Sequence, residues 1–173
     1  RALAIMYGEE QYQAWGDVLS SIQTGAPAFD HHFGASYFQY LGDHSGASAT
    51  FNAAMTGWST QVARAVVDAY DFSSSRTVVD IGGGHATLLT AILGANPHLK
   101  GVLFDLPHVA SSAVPVLVTA GIADRCETTG GDFFEAVPGG GDTYILAQIL
   151  HDWDDDRCRA ILGNCREAMA HDG

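Results

Sequence analysis

The chain has 173 residues, of which 47% are hydrophobic and 16% are charged, a composition typical of a globular domain and not of a disordered segment. Its 8 Lys and Arg against 20 Asp and Glu give a formal net charge of -12, and such an acidic surface repels phosphate backbones and anionic membranes. The apolar runs are too short to cross a bilayer. We therefore expect no nucleic acid and no membrane as partner, and the composition is compatible with a small neutral or aromatic ligand.

The cysteines and the two ends of the chain indicate its setting. Cys126, Cys158 and Cys165 are odd in number and form no Cys-x-x-Cys pair, which argues against a disulfide framework or a structural zinc site. The first ten residues lack the pattern of a signal peptide, so we expect a cytoplasmic protein. The chain starts at Arg1 and ends in an apparent turn at residues 171–173, which predicts further sequence at both ends.

Residues 1–75 form the first predicted segment, which is helical. Apolar residues from Trp15 to Ile22 follow helical spacing, and a long helix is predicted over residues 47–70. Residues 27–46 are predicted to be a loop with aromatic insertions. His31 and His32 lie in that loop without the neighbouring ligands that a metal site requires, so they are interpreted as solvated histidines.

Residues 76–173 form the second predicted segment, in which strands and helices alternate. Strands are predicted over residues 76–81, 101–105, 126–129 and 143–150. Strands that are apolar on both faces and separated by helices indicate a parallel sheet covered on both sides. Right-handed crossovers then give an α/β fold with a doubly wound parallel sheet, in which ligands bind at the carboxyl ends of the strands.

The first predicted strand ends in Asp80 to Ala86, a segment with three consecutive glycines. Glycines permit a sharp turn and a close approach to a ligand, and the free N–H groups of the following helix can bind a carboxylate or a phosphate. A purely structural turn is the alternative. The dinucleotide fingerprint Gly-x-Gly-x-x-Gly fails, because its third glycine would fall at Thr87. Gly82 and Gly84 are therefore candidate ligand contacts.

The second and third predicted strands each end beside a carboxylate. Asp105 could accept hydrogen bonds from both ribose hydroxyls of a nucleoside, or it could cap the next helix. Asp132 could accept a hydrogen bond from an exocyclic amine, and Phe133 could stack on a base or pack in the core. Phe134 is expected to pack. These strand ends together predict a nucleoside site.

The fourth predicted strand runs into His151, Asp152 and Trp153. An unperturbed imidazole has a pKa of about 6.5, which suits proton removal at neutral pH. A histidine at the carboxyl end of a parallel strand is placed beside the ligand crevice, so His151 is the candidate general base. Asp152 could polarise the substrate or cap the helix that begins near Asp154. Trp153 is expected to pack.

These segments together resemble the small-molecule O-methyltransferases of plants and bacteria, a family that includes caffeate-type enzymes and enzymes that tailor aromatic polyketides. The Asp-x-Gly-Gly-Gly turn, Phe-Asp-Leu-Pro at residues 104–107 and His-Asp-Trp at residues 151–153 form a specific combination, although each alone is weak. The resemblance extends to residues 14–16, 24–29 and 51–55 and so spans nearly the whole chain.

The resemblance implies a Rossmann-like class I methyltransferase core that uses S-adenosyl-L-methionine, with Gly82 and Gly84 at the methionine part of the cofactor. The implied cofactor contacts are Asp80, Gly82, Gly84, Asp105 (ribose), Leu106, Asp132 and Phe133 (adenine). The implied catalytic residues are His151, as general base, and Asp152. The implied acceptor side consists of Trp15, Phe51, Met55 and Trp58; the spacing of the last three also fits a plain buried stripe.

The resemblance thus predicts methylation of a hydroxyl on a small phenolic or polyketide-like acceptor, in secondary metabolism or antibiotic biosynthesis, by a protein that is a homodimer at full length. A nicotinamide-dependent oxidoreductase and a non-catalytic relative are the alternatives. The chain departs from the family at Ala86, usually glycine, and at Ala147, a lysine in plant members. The acidic residues that orient the family's base would follow Gly173, and the dimerisation domain would precede Arg1.

Overall fold

The computed structural model describes residues 1–170, so the turn predicted at residues 171–173 lies outside the described residues. The chain divides into two compact units, Arg1–Trp58 and Ser59–Gly173. The predicted organisation, a helical segment over residues 1–75 and an α/β core over residues 76–173, stays a prediction. Among residues 1–170, no helix combines the length and the apolar composition that crossing a membrane requires.

The first unit is helical. Its elements are α1 (Ala2–Gly8), α2 (Glu10–Gly16), α3 (Val18–Thr24), α4 (Ala28–Phe33), α5 (Tyr37–Asp43) and the first part of α6 (Ser45–Ala69). The loop predicted over residues 27–46 was wrong, because α4 and α5 occupy most of it. Gly34 ends α4 in the left-handed conformation, and a capping box of Ser36 and Gln39 begins α5. The aromatic residues pack on one another, with the rings of Phe29 and Phe33 4.4 Å apart.

The second unit contains a four-stranded parallel sheet of order β3-β2-β1-β4, which with its helices confirms the predicted α/β class. Its elements are β1 (Thr77–Ile81), α7 (Thr87–Ala95), β2 (Lys100–Asp105), α8 (Pro107–Thr119), β3 (Cys126–Gly130), β4 (Thr143–Ile145), a 3₁₀ turn (Leu150–Asp152) and α9 (Asp155–Ala168). α8 continues through Pro115 as one helix.

The core of the second unit lies on both faces of the sheet, because successive strand residues point to opposite sides. Val78 and Leu103 pack with apolar residues of α7 and α8 in one cluster. Val79 and Phe104 pack with Ile161 of α9 in the other. The sheet is thus covered on both sides, as a doubly wound fold requires.

β4 is shorter than predicted. The expected strand over residues 143–150 ends at Ile145, and Gln148 has a positive φ of 60°. The chain therefore leaves the sheet and turns before it reaches the 3₁₀ turn at Leu150–Asp152. His151 consequently lies on a turn beyond the strand and not at the strand tip itself.

Candidate active site

The four strands point the same way, so their carboxyl ends lie along one edge of the sheet. The register pairs Ile81 with Phe104, Asp105 with Gly130, and Asp80 with Ile145. The segments that leave this edge carry the glycine turn, Asp105, the loop with Asp132, and the turn with His151. The structure therefore brings together, at one edge, the site residues that the sequence placed at strand ends.

The turn after β1 depends on glycine at two positions. Gly82 has φ +67° and Gly84 has φ +56°, in the left-handed region that L side chains rarely adopt. The N–H of Gly82 donates to the carbonyl of Phe104 at 2.7 Å, which holds the turn against β2. Ala86, where the resemblance implies glycine, also has a positive φ of 60° and is fully buried, so its methyl group is accommodated in a strained backbone.

Gly82 also joins the glycine turn to the segment that carries His151. A Cβ atom at Gly82 would lie 2.4 Å from Cδ1 of Ile149, so only a residue without a side chain permits this approach. Ile149 is two residues before His151. The packing of Ile149 over Gly82 therefore places the histidine turn next to the glycine turn.

Gly83 has no room for a side chain, for a different reason. A Cβ there would lie 2.4 Å from Cδ1 of Leu103 and 2.7 Å from Oδ2 of Asp80, both in fully buried side chains. We expect Gly83→Ala to lower the free energy of unfolding by about 1–3 kcal/mol through overpacking, measured by urea denaturation. Gly94→Ala is the control, because this helical glycine has open space around it. A Gly83→Ala variant as stable as Gly94→Ala would contradict the packing of this turn.

Asp105, at the end of β2, fastens two backbone segments. Its Oδ2 accepts a hydrogen bond from the N–H of Gly84 at 2.8 Å, and its Oδ1 accepts one from the N–H of Leu106 at 2.7 Å. Burial raises the pKa of this carboxyl above its ordinary value, and the two N–H groups oppose that rise. Each oxygen keeps a lone pair, so the carboxylate can still accept hydrogen bonds from two ligand hydroxyls.

Asp80 is almost fully buried in β1. Its Oδ2 has no hydrogen-bond partner among the described residues. Burial, together with the neighbouring Asp105 carboxylate, raises the pKa of Asp80 to about 7. An unpaired buried carboxyl oxygen beside the glycine turn is a feature that a bound cation or hydrogen-bond donor would satisfy.

The raised pKa of Asp80 predicts a pH-dependent stability. The folded state holds a proton on Asp80 up to about pH 7, whereas the unfolded state loses it near 3.8. The stability contributed by this proton is therefore lost as pH rises through that window, so the wild-type protein loses up to roughly 4 kcal/mol between pH 4 and pH 7. In Asp80→Asn this loss should be absent, and the variant should be the more stable protein at pH 8.

Urea denaturation of the wild type, Asp80→Asn and Asp124→Asn between pH 5 and pH 8 measures this effect. Asp124 is exposed, so Asp124→Asn removes one carboxylate from the surface and should follow the wild-type profile. A difference between Asp80→Asn and the wild type that does not grow with pH would contradict a proton held by Asp80.

The loop after β3 carries Asp132 and Phe133. Oδ1 of Asp132 accepts a hydrogen bond from the N–H of Phe134 at 2.8 Å, which closes a tight turn and leaves the other carboxylate oxygen to solvent. The half-buried rings of Phe133 and Phe134 pack edge to face, 4.8 Å apart, and both contact the ring of Trp153. This loop thus packs directly on the turn that carries His151.

His151 and Asp152 lie together in the 3₁₀ turn. Nε2 of His151 is 3.1 Å from Oδ1 of Asp152, and 58% of the histidine side chain is exposed. Burial raises the pKa of Asp152, and the nearby His151 opposes that rise. Asp152 does not cap α9, since the cap is Asp154, whose Oδ1 accepts the N–H of Arg157 at 2.9 Å. The arrangement is an accessible imidazole with a carboxylate partner.

The residues predicted for the acceptor side lie in the first unit. The Phe51 ring contacts the rings of Tyr37 and Phe38, and Met55 is half-buried. Trp15 and Trp58 expose 66% and 47% of their surface. The predicted role of Trp15, Phe51, Met55 and Trp58 beside an acceptor stays a prediction.

Residues 15–173 match the family of O-methyltransferase domains. The chain belongs to this family. Over its full 173 residues it is 57% identical to phenazine O-methyltransferase PhzM of Lysobacter antibioticus, of which it covers 51%. It is 42% identical over 168 residues, 97% of the chain, to 3-amino-4-hydroxybenzoate 4-O-methyltransferase of Streptomyces cremeus, of which it covers 46%.

A solved structure shows the same architecture. The O-methyltransferase NcsB1 from neocarzinostatin biosynthesis, crystallised with S-adenosylmethionine and 2-hydroxy-5-methyl naphthoic acid, matches 97% of the chain with a TM-score of 0.91 and 34% identity, and the chain covers 51% of it. The family match confirms the resemblance drawn from the motifs. The chain spans about half the length of the curated relatives it matches.

Three residues of this candidate site were not identified from the sequence. Gly83 could have been found, because it lies inside the glycine run. Asn164 leaves a weaker signal: it lies three residues after Ile161 and next to Cys165, so helical spacing brings a polar side chain to the apolar face of α9. Ile149 gives no signal, since nothing distinguishes it from other apolar residues of the predicted strand.

Proposed function

We propose that the protein transfers a methyl group from S-adenosyl-L-methionine to a hydroxyl group of a small aromatic acceptor. The observation that carries the proposal is the packing of Ile149 on Gly82, because it places the His151 turn beside the glycine turn in a chain of the O-methyltransferase domain family. A base next to a cofactor-binding turn is the arrangement that methylation of a hydroxyl requires.

The residues present fit the cofactor. The positive-φ glycines expose backbone at the turn, and a Cβ at Gly84 would meet no atom within 4 Å, so space is open there. The unpaired Oδ2 of Asp80 and the lone pairs of Asp105 supply hydrogen-bond acceptors for a cationic nucleoside with two ribose hydroxyls. Asp132 and Phe133 would hold the adenine, with Leu106 beside the ribose.

The chemistry of the site divides between the cofactor and the chain. When bound, S-adenosyl-L-methionine supplies a methyl group on a positively charged sulfur. Nε2 of His151 lies 3.1 Å from Oδ1 of Asp152, and the exposed imidazole is the group that would accept the hydroxyl proton. The Asp152 carboxylate at this distance would stabilise the imidazole once it carries the proton.

The acceptor class follows from what the relatives are named for. Their printed acceptors are a phenazine, an aminohydroxybenzoate and, in the NcsB1 complex, a naphthoic acid. These are flat molecules, and Trp15, Phe51, Met55 and Trp58 supply apolar surface on which such rings can pack. We propose hydroxylated aromatic acids and fused-ring aromatics as acceptors, with these four side chains on the acceptor side.

A homodimer and a cytoplasmic location complete the proposal. The homodimer is supported by the exposed apolar surface of the first unit, where Tyr12, Leu19 and Ile22 expose 73%, 62% and 75% of their area. Several large apolar side chains exposed within a short stretch of chain favour a protein interface. Sedimentation equilibrium of the full-length protein decides between a dimer and a monomer.

The test of the function is a transfer assay with methyl-labelled S-adenosyl-L-methionine. The acceptors are a hydroxyphenazine, 3-amino-4-hydroxybenzoate and a hydroxynaphthoate. Label on the hydroxyl oxygen of at least one acceptor supports the proposal. Tight cofactor binding with no label transferred would instead show a non-catalytic relative, and binding of NAD in preference to S-adenosyl-L-methionine would show the oxidoreductase alternative.

A further inference from the structure

Helix α9 contacts both halves of the proposed site through side chains that the mechanism does not use. Its apolar residues Ile161 and Cys165 are buried against the sheet. Two polar side chains of the helix, Asn164 and Cys158, point to different loops. Each donates to backbone carbonyls of a segment outside the helix that carries site residues.

Asn164 holds the loop after β3. Its Nδ2 donates to the carbonyl of Phe133 at 2.8 Å and to the carbonyl of Phe134 at 3.1 Å. These residues are 31 and 30 positions away in sequence, so the bonds fix a distant loop to the helix. Because Phe133 follows Asp132 directly, the side-chain amide sets the position of both residues proposed for the adenine.

Cys158 holds the turn that carries His151. Its Sγ donates to the carbonyl of Leu150 at 3.1 Å and lies 3.5 Å from the carbonyl of Trp153. These two carbonyls flank His151 and Asp152 on either side. The thiol therefore fastens both ends of the turn to the first helical residues of α9.

An edge-to-face aromatic contact connects the loop after β3 with the turn that carries His151. The Trp153 ring lies 4.8 Å from the Phe134 ring at an interplanar angle of 89°. The guanidinium of Arg157, also on α9, lies 5.2 Å from the Trp153 ring and 5.5 Å from the Phe134 ring. The helix thus contacts each segment and their junction.

We propose that α9 acts as a brace: it fixes the loop of Asp132 and Phe133 relative to the turn that carries His151. Asn164 and Cys158 are the positioning residues, each for a different step. This inference rests on the proposed function. Asn164 acts on cofactor binding, because it holds the loop of Asp132 and Phe133. Cys158 acts on the rate of transfer, because it holds the turn of His151.

The two positions should separate binding from turnover. Asn164→Asp keeps the shape but replaces two donors with a carboxylate that repels both carbonyls; it should raise the dissociation constant for S-adenosyl-L-homocysteine about tenfold and leave kcat at saturating cofactor near the wild-type value. Cys158→Ala should lower kcat about threefold to tenfold with cofactor affinity unchanged. Cys158→Ser should restore most of the rate, because its hydroxyl donates to the same carbonyls.

The experiment combines calorimetry, steady-state kinetics and amide hydrogen exchange on the intact protein. Cys165→Ala is the control, because this buried thiol is on the same helix and donates no hydrogen bond within residues 1–170. The brace predicts faster exchange at Phe134 and Glu135 in Asn164→Asp, and at Asp152 and Trp153 in Cys158→Ala. Cys165→Ala should lower the melting temperature without that local pattern.

The outcomes separate the brace from the proposed function. Equal changes of affinity and kcat in both variants, or exchange patterns that match Cys165→Ala, would overturn the brace. A wild-type protein that neither binds the cofactor nor transfers methyl would overturn the proposed function. In that case the exchange data still decide whether α9 holds the two segments.

Discussion

Replacing His151 with alanine is expected to lower kcat about 10²–10⁴-fold, the range that a positioned general base contributes. The variant loses the nitrogen that accepts the hydroxyl proton. The affinity for S-adenosyl-L-homocysteine should not change. The contact between the histidine turn and the glycine turn is made by Ile149, and His151 itself does not hold the nucleoside. Single-turnover kinetics at saturating cofactor, together with calorimetry, measure both quantities.

His98→Ala is the matched control, since His98 is exposed and precedes β2 at the opposite, amino edge of the sheet. Its kcat should equal that of the wild type. A His151→Ala protein with unchanged turnover would remove the imidazole from the mechanism. A loss that an acceptor of lower hydroxyl pKa fails to reduce would also count against proton removal as its function.

Replacing Asp105 with alanine is expected to weaken cofactor binding about 100-fold or more, because two charge-assisted hydrogen bonds to the ribose are lost together. The substitution also removes the acceptor of the Gly84 N–H, so the glycine turn loses its tie to β2. Asp105→Asn should be intermediate, since the amide keeps one acceptor oxygen. Calorimetric titration with S-adenosyl-L-homocysteine measures the dissociation constants.

Asp124→Ala serves as the control for the loss of one negative charge, because this exposed residue lies before β3 and away from the strand ends. Melting curves show whether each variant is folded. A folded Asp105→Ala protein that binds the cofactor as tightly as the wild type would contradict the ribose role. A smaller effect in Asp105→Ala than in Asp105→Asn would also contradict it.

The sequence predicted the second unit well for a physical reason. β1 and β2 carry buried apolar residues on both faces, so they stand out as apolar segments, and the carboxyl ends of the strands carry the glycines and carboxylates. The loop over residues 27–46 was misassigned, because Pro27 and Gly34 are typical turn residues but here flank a short helix: Pro27 precedes α4 and Gly34 follows it. β4 was predicted too long, because residues 146–150 are apolar except for Gln148, and periodicity cannot distinguish such a segment from a strand.

The sequence predicts which residues lie near the strand ends, but it does not predict the contacts between the segments that carry them. Motifs identify Gly82, Asp105 and His151 as residue types at strand ends. The contact of Ile149 with Gly82 depends on how the chain turns at Gln148. No pattern in the sequence predicts the positive φ of this residue. Likewise, helical spacing places Asn164 near the apolar face of α9 but does not specify its hydrogen bonds to the Phe133 and Phe134 carbonyls.

The most direct test is a crystal structure of the protein with S-adenosyl-L-homocysteine and a hydroxylated aromatic acceptor. We predict that the ribose hydroxyls contact the Asp105 carboxylate, that the sulfur lies over Gly82 to Gly84, and that the acceptor hydroxyl lies between the sulfur and the imidazole of His151. A nucleoside bound away from the glycine turn, or an imidazole that faces away from the acceptor hydroxyl, would contradict the proposed site.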